Sequence, residues 1–80
     1  MYDKIFAQVI SEMYNILNTS RYRTDKSKRS RMVDVWHRCF SESTDIKLQG
    51  VNNILTKTIA DQLTPAEILE YAEWWIYKLQ

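Results

Sequence analysis

Apolar residues at Tyr2, Phe6, Val9, Met13 and Ile16 recur in alternating steps of four and three, and Ile5, Ile10, Tyr14 and Leu17 widen the same stripe. That spacing predicts a helix from Tyr2 to Leu17 that lays one broad face on a core. Asn18, Thr19 and Ser20 end it, because short polar side chains compete with the helix for backbone hydrogen bonds. A second helix is predicted through Met32, Val33, Val35, Trp36, Cys39 and Phe40, again at intervals of three and four. Thr24 or Asp25 is placed to cap its start, with Ser30 as a later option, and Ser41 to Thr44 stop it.

The third segment opens at Asp45. Ile46, Leu48, Val51, Ile54, Leu55 and Ile59 carry a looser helical period, weakened by Gly50 and by the pair Asn52 and Asn53. Two outcomes fit: a helix broken near Gly50, or a short turn followed by a helix from Val51 to Gln62. The sharpest local signal is LTPAEI, residues 63–68. Thr64 is an N-cap, Pro65 takes the first helical position and Glu67 closes a capping box. Leu63 and Ile68 stand at the two positions of a hydrophobic staple. A last helix therefore starts at Pro65. Ile68, Ala72, Trp75 and Leu79 face the core in it, with Leu69 and Ile76 beside them.

Composition sharpens this picture. One glycine and one proline in 80 residues leave too little punctuation for a sandwich or barrel. The reading is a single all-α domain over residues 1–80, a small three- to four-helix bundle, with no internal repeat or low-complexity segment. A chain this short buries only about 60–65% of its unfolded surface, so its core needs help from good helix packing, self-association or a partner. Cys39 is the only cysteine, which excludes an internal disulfide, and with a single histidine, His37, it argues against a zinc site within one chain. A lone free thiol suits a reducing interior, no apolar run approaches the ~18 residues of a membrane span, and the N-terminus lacks signal-peptide features. The expectation is a cytoplasmic protein with no membrane and no cofactor.

Candidate chemistry is sparse. His37 and Cys39 lie two residues apart on a helix and point about 200° away from each other, so they do not form a nucleophile pair. Cys39 shares the apolar face with Val35 and Trp36, whereas His37 falls near Asp34 and Ser41. No phosphate loop, metal-ligand cluster or nucleophile elbow is present, and the expectation is that the protein is not an enzyme.

Charge adds one feature. Residues 21–32, RYRTDKSKRSRM, hold six of the chain's 11 Lys and Arg although the net charge is only +1. Arg21, Arg23, Lys26, Lys28, Arg29 and Arg31 could neutralise several phosphates, with Tyr22 stacking on a base. The balanced total charge favours the plainer reading, a solvated connection and helix start. Residues 57–75 also have the outline of a helix-turn-helix. Glu67, Glu70 and Glu73 on the would-be recognition helix have the wrong sign for base contacts.

That last helix is apolar or aromatic nearly all round, and so small a core cannot hide every ring. Tyr71 and Trp74 fall on a flank and Tyr77 near the acidic side, which makes them the expected partner contacts. A core that simply needs large side chains would account for the same residues.

Residues 24–68, TDKSKRSRMVDVWHRCFSESTDIKLQGVNNIL followed after a short interval by LTPAEI, resemble the N-terminal domain of phage replicative-helicase loader/inhibitor proteins. The match runs through Val33 to Trp36, Phe40, Asp45, Val51 to Leu55 and Pro65 to Ile68, about half the chain. This sequence is poorer in proline before its last helix, and the tail through which those proteins contact the helicase is not expected in it. The resemblance implies a helical fold first, and then a small phage protein that binds a host or phage replication protein. From the residues and the resemblance together, a non-enzymatic, protein-binding regulator or inhibitor of a larger partner is expected, with the basic stretch steering it toward an acidic surface. A nucleic-acid-associated protein using residues 21–31 is the alternative. A homodimer paired through its C-terminal helices is the second alternative.

Overall fold

Helix α1 (Asp3–Asn18) follows the alternating stripe: Phe6, Val9, Met13 and Ile16 are buried, with Ile5, Ile10 and Leu17 at the margin. Tyr14, placed on the same stripe by its spacing, points to solvent. The helix stops where its polar run begins. Thr19 N–H still reaches the Asn15 carbonyl, and Thr19 Oγ1 then accepts from the Arg21 N–H. The last turn holds no basic residue of its own, and Lys28 supplies one from the next helix, its Nζ donating to the Leu17 carbonyl at 3.2 Å. A cation there meets both the orphan carbonyl and the negative end of the helix dipole.

Helix α2 (Asp25–Ser41) starts at Thr24, which the structure selects from the three candidate caps. Thr24 Oγ1 accepts from the Ser27 N–H at 3.1 Å, and Ser27 Oγ accepts from the Thr24 N–H at 3.3 Å. This is a reciprocal capping box with serine in the place usually held by Glu or Gln. The computed structural model describes residues 3–42 and 46–79. The expected contribution of Tyr2 to α1, the stop at Thr44 and the start at Asp45 lie outside the described residues.

A chain of short elements follows: α3 (Ile46–Gly50), a 3-10 turn (Val51–Asn53) and α4 (Lys57–Ala60). Of the two outcomes the sequence allowed, a break at Gly50 is found, but the long helix to Gln62 is not. Thr56 is extended (φ −91°, ψ 163°) and caps α4, its side chain accepting from the Ile59 N–H at 3.2 Å. The reason lies in three side chains from other helices. Trp36 Nε1 donates to the Val51 carbonyl at 3.0 Å, Tyr71 Oη to the Ile54 carbonyl at 2.7 Å, and His37 Nε2 bonds the Leu55 carbonyl at 2.8 Å. The Ile54 and Leu55 carbonyls thus take tertiary donors in place of a continuing helix. The Val51 carbonyl accepts both the Trp36 indole N–H and the Ile54 N–H that closes the 3-10 turn, and the backbone is free to turn. His37, on the α2 face it shares with Asp34 and Ser41, is therefore half-buried against this segment.

Helix α5 (Pro65–Leu79) begins as its motif predicts: Glu67 N–H donates to Thr64 Oγ1 at 3.2 Å, and Thr64 N–H to Glu67 Oε1 at 2.9 Å. Pro65, Ile68, Leu69, Ala72 and Ile76 are buried, while Trp75 and Leu79 are only partly so. The buried stripe is thus rotated slightly from the 68-72-75-79 row toward Leu69 and Ile76. Among the described residues there is no strand, and α1, α2 and α5 pack pairwise as an all-α bundle. Helix α2 touches every other element and carries the centre of the core. Trp36 is wholly buried there, with its ring 4.7 Å from that of Phe40, which meets Phe6 at 6.1 Å.

Candidate interaction surfaces

The flank of α5 carries a continuous aromatic band. Trp75 lies half-buried between Tyr71 (centroids 6.4 Å, 69°) and Trp74 (5.0 Å, 86°), both edge-to-face arrangements that suit the ring quadrupoles. Trp74 is 51% exposed and Tyr77 75% exposed, and Lys78 places its ammonium 5.4 Å from the Trp74 ring. Exposed Glu70 and Glu73 share this side of the helix. Of the three expected contact residues, Trp74 and Tyr77 are therefore presented to solvent. Tyr71 is half-buried, and its hydroxyl is committed to the Ile54 carbonyl. Ile46, 83% exposed at the start of α3, is a further apolar residue at the surface that its helical period did not mark.

The six cations of the basic stretch do not form one patch. Lys28 and Arg29 turn inward: Lys28 caps α1, and Arg29 Nη1 reaches the Leu63 carbonyl at 3.5 Å while its Nε is buried with no partner among the described residues. Arg23 and Lys26 are exposed. Arg21 lies 5.9 Å from the Tyr22 ring, a cation–π distance. Arg31 is half-buried and, with Arg21, lines a cleft.

That cleft lies between the C-terminal half of α1, the connection, and α2, and has a volume of about 220 Å³. Ile16 and Val35 give it an apolar floor, and Glu12, Asn15, Thr19, Arg21, Tyr22 and Arg31 its walls. Glu12 is already engaged. Arg38 Nη2 reaches both of its carboxylate oxygens, at 2.6 and 2.7 Å. The hydrogen bond and then the charge of Glu12 hold the Arg38 guanidinium more firmly protonated than usual. Beside them Cys39 Sγ lies 3.6 Å from Glu12 Oε2. Burial pushes the Cys39 thiol up from its ordinary 9.0, and the Glu12 charge adds to that. Such a thiol stays neutral and is a poor nucleophile. The cleft was not legible in the sequence, since its residues come from three segments and match no short motif.

Among the described residues, no group of three His, Cys, Asp or Glu is placed to hold a metal ion, and no helix is long and apolar enough to cross a membrane. No protein-family model, curated protein or solved structure matches this chain.

Proposed function

We propose that this chain is a small, non-enzymatic, cytoplasmic protein-binding regulator, of the kind phages and mobile elements use to inhibit or modulate a larger replication or host protein. The observation that carries the reading is the exposure of Trp74 and Tyr77 on an ordered helix. Large aromatic side chains with few rotatable bonds lose little entropy on binding and dominate interface energies. Trp74 is held in place by Trp75 on one side and Lys78 on another, so it is preorganised. The neutral Cys39 thiol and the half-buried, carbonyl-bonded His37 support a non-enzymatic role. The inward commitment of Lys28 and Arg29 favours protein over nucleic acid as the partner, because fewer cations remain to follow a phosphate backbone.

The test is a comparative capture from cells that naturally contain the protein, using wild type and a Trp74→Ala/Tyr77→Ala double variant, each split into nuclease-treated and untreated halves. One protein recovered equally from both wild-type halves and lost with the variant is the expected result. Recovery that disappears with nuclease transfers the function to residues 21–31, the alternative. A dimer mass that the double variant converts to monomer, with nothing else captured, establishes the homodimer instead.

A further inference from the structure

We infer that the cleft between α1 and α2 is a receptor for a single carboxylate on a short apolar stem, as an acidic side chain of a partner peptide presents. This stands apart from the aromatic face of α5 and does not depend on it. Arg21 and Arg31 both line the recess. Neither makes an ion pair among the described residues, where the pair Arg38–Glu12 already occupies the neighbouring carboxylate. Two guanidinium groups without carboxylates at the wall of a concave site are an arrangement that recognises an oxyanion through paired N–H donors. The Asn15 amide and Thr19 hydroxyl add neutral hydrogen-bonding groups, and Ile16 and Val35 supply a floor for methylenes.

Size and charge select the ligand. At about 220 Å³ the cleft is smaller than the ~300–1,000 Å³ of sites for nucleotides and drug-sized molecules, so it admits one side chain. Its lining carries two guanidinium charges, and the one carboxylate beside them, Glu12, is already paired with Arg38, so the recess offers positive charge to an anion. Inorganic phosphate has no methylenes to lay on Ile16 and Val35, whereas an acidic side chain fills that floor and presents its carboxylate to the guanidinium groups. A nucleic-acid strand would need a row of cations beyond the recess, where Lys28 and Arg29 are withdrawn.

The test uses the intact protein, labelled with nitrogen-15, in low salt. It is titrated separately with N-acetylglutamate amide, its neutral glutamine counterpart, inorganic phosphate and a short oligothymidylate. Saturable shifts at the Asn15 side-chain amide, the Thr19 N–H and the Arg21 and Arg31 Nε–H groups are expected with the glutamate compound and not with its amide. Arg21→Gln or Arg31→Gln should weaken that binding about tenfold each, the share of one charge-assisted hydrogen bond. Arg23→Gln and Lys26→Gln, which lie outside the cleft, should leave it unchanged. Arg21 is exposed, so its variant remains informative if Arg31→Gln disturbs the fold. Equal response to the glutamine compound, or equal loss in the Arg23 and Lys26 variants, overturns the inference. Tighter binding of phosphate overturns the carboxylate assignment. Tighter binding of oligothymidylate that needs Arg23 and Lys26 as much as Arg21 and Arg31 overturns it in favour of nucleic acid.

Discussion

Two tryptophans show how differently one residue type is used within this small chain. The Trp36 indole is wholly buried and its N–H donates to the Val51 carbonyl, whereas the half-buried Trp75 keeps a buried N–H with no acceptor among the described residues. Trp36→Phe removes a hydrogen bond and opens a cavity, and should cost about 2 kcal/mol in denaturant unfolding. Trp75→Phe removes a donor that is not in use and should stay within about 1 kcal/mol. Equal costs would show that volume alone governs both sites. At the start of α5, Thr64→Ala should cost about 1 kcal/mol through loss of the cap. The same box has a pH dependence. Hydrogen bonds from the Thr64 backbone and side chain hold the Glu67 carboxyl below its ordinary 4.5. Folding lowers this pKa, so the contribution is fully present above that value and fades as pH falls through the lower folded one. Melting temperature should fall on acidification in that window, and the fall should be smaller in Glu67→Gln, whose amide oxygen still accepts the Thr64 N–H.

At the level of elements, caps and breaks differ in how local they are. The start of α5 rests on side chains within a few residues, and the polar run after Leu17 ends α1 locally, with Lys28 of α2 adding a cap from the next helix; both form where the sequence places them. The segment 51–63 rests on Trp36, His37 and Tyr71, which come from α2 and α5. No window of neighbouring residues contains that information. Gly50 gives a further test. Its backbone is right-handed helical (φ −67°, ψ −22°), and a Cβ there would meet nothing within 4 Å. The break is therefore not held by glycine's special freedom. Gly50→Ala should keep the 3-10 turn and stabilise the protein by about 0.4–1 kcal/mol, read as a raised denaturation midpoint. If it extended α3 into Val51–Asn53, carbonyl capture by the neighbouring helices would not be what sets the turn.

For the whole molecule, the arrangement of α1, α2 and α5 sets what is left outside. Three long helices close a core around Trp36 and Phe40, and the side of α5 away from α1 and α2 keeps Trp74 and Tyr77 in solvent. Trp74→Ala and Tyr77→Ala should therefore change stability by no more than about 0.5–1 kcal/mol, since neither ring fills the core. Partner binding should fall by ten-fold or more if these are hot-spot residues. Denaturant unfolding beside a binding titration separates the two effects. A large loss of stability with unchanged binding would assign the band to packing.

Helix periods, the Thr64 box, the polar stop after Leu17 and the all-α class are all legible in the chain, because each depends on contacts a few residues apart or on the face a repeat must bury. Tyr14 and Ile46 keep the helical period yet face solvent, because a period defines a stripe without saying how far a neighbouring helix covers it. The same limit applies to the aromatic helix: its sequence names Tyr71, Trp74 and Tyr77 together, and only packing separates the hydroxyl spent on Ile54 from the two rings left outside. Likewise six cations read as one run, but the helix turns Lys28 and Arg29 toward backbone carbonyls and gathers Arg21 and Arg31 at one cleft. Local order followed from side chains and their spacing. What each polar group bonds to, and so which remain available to a partner, was decided by distant backbone carbonyls that only the tertiary structure brings within reach.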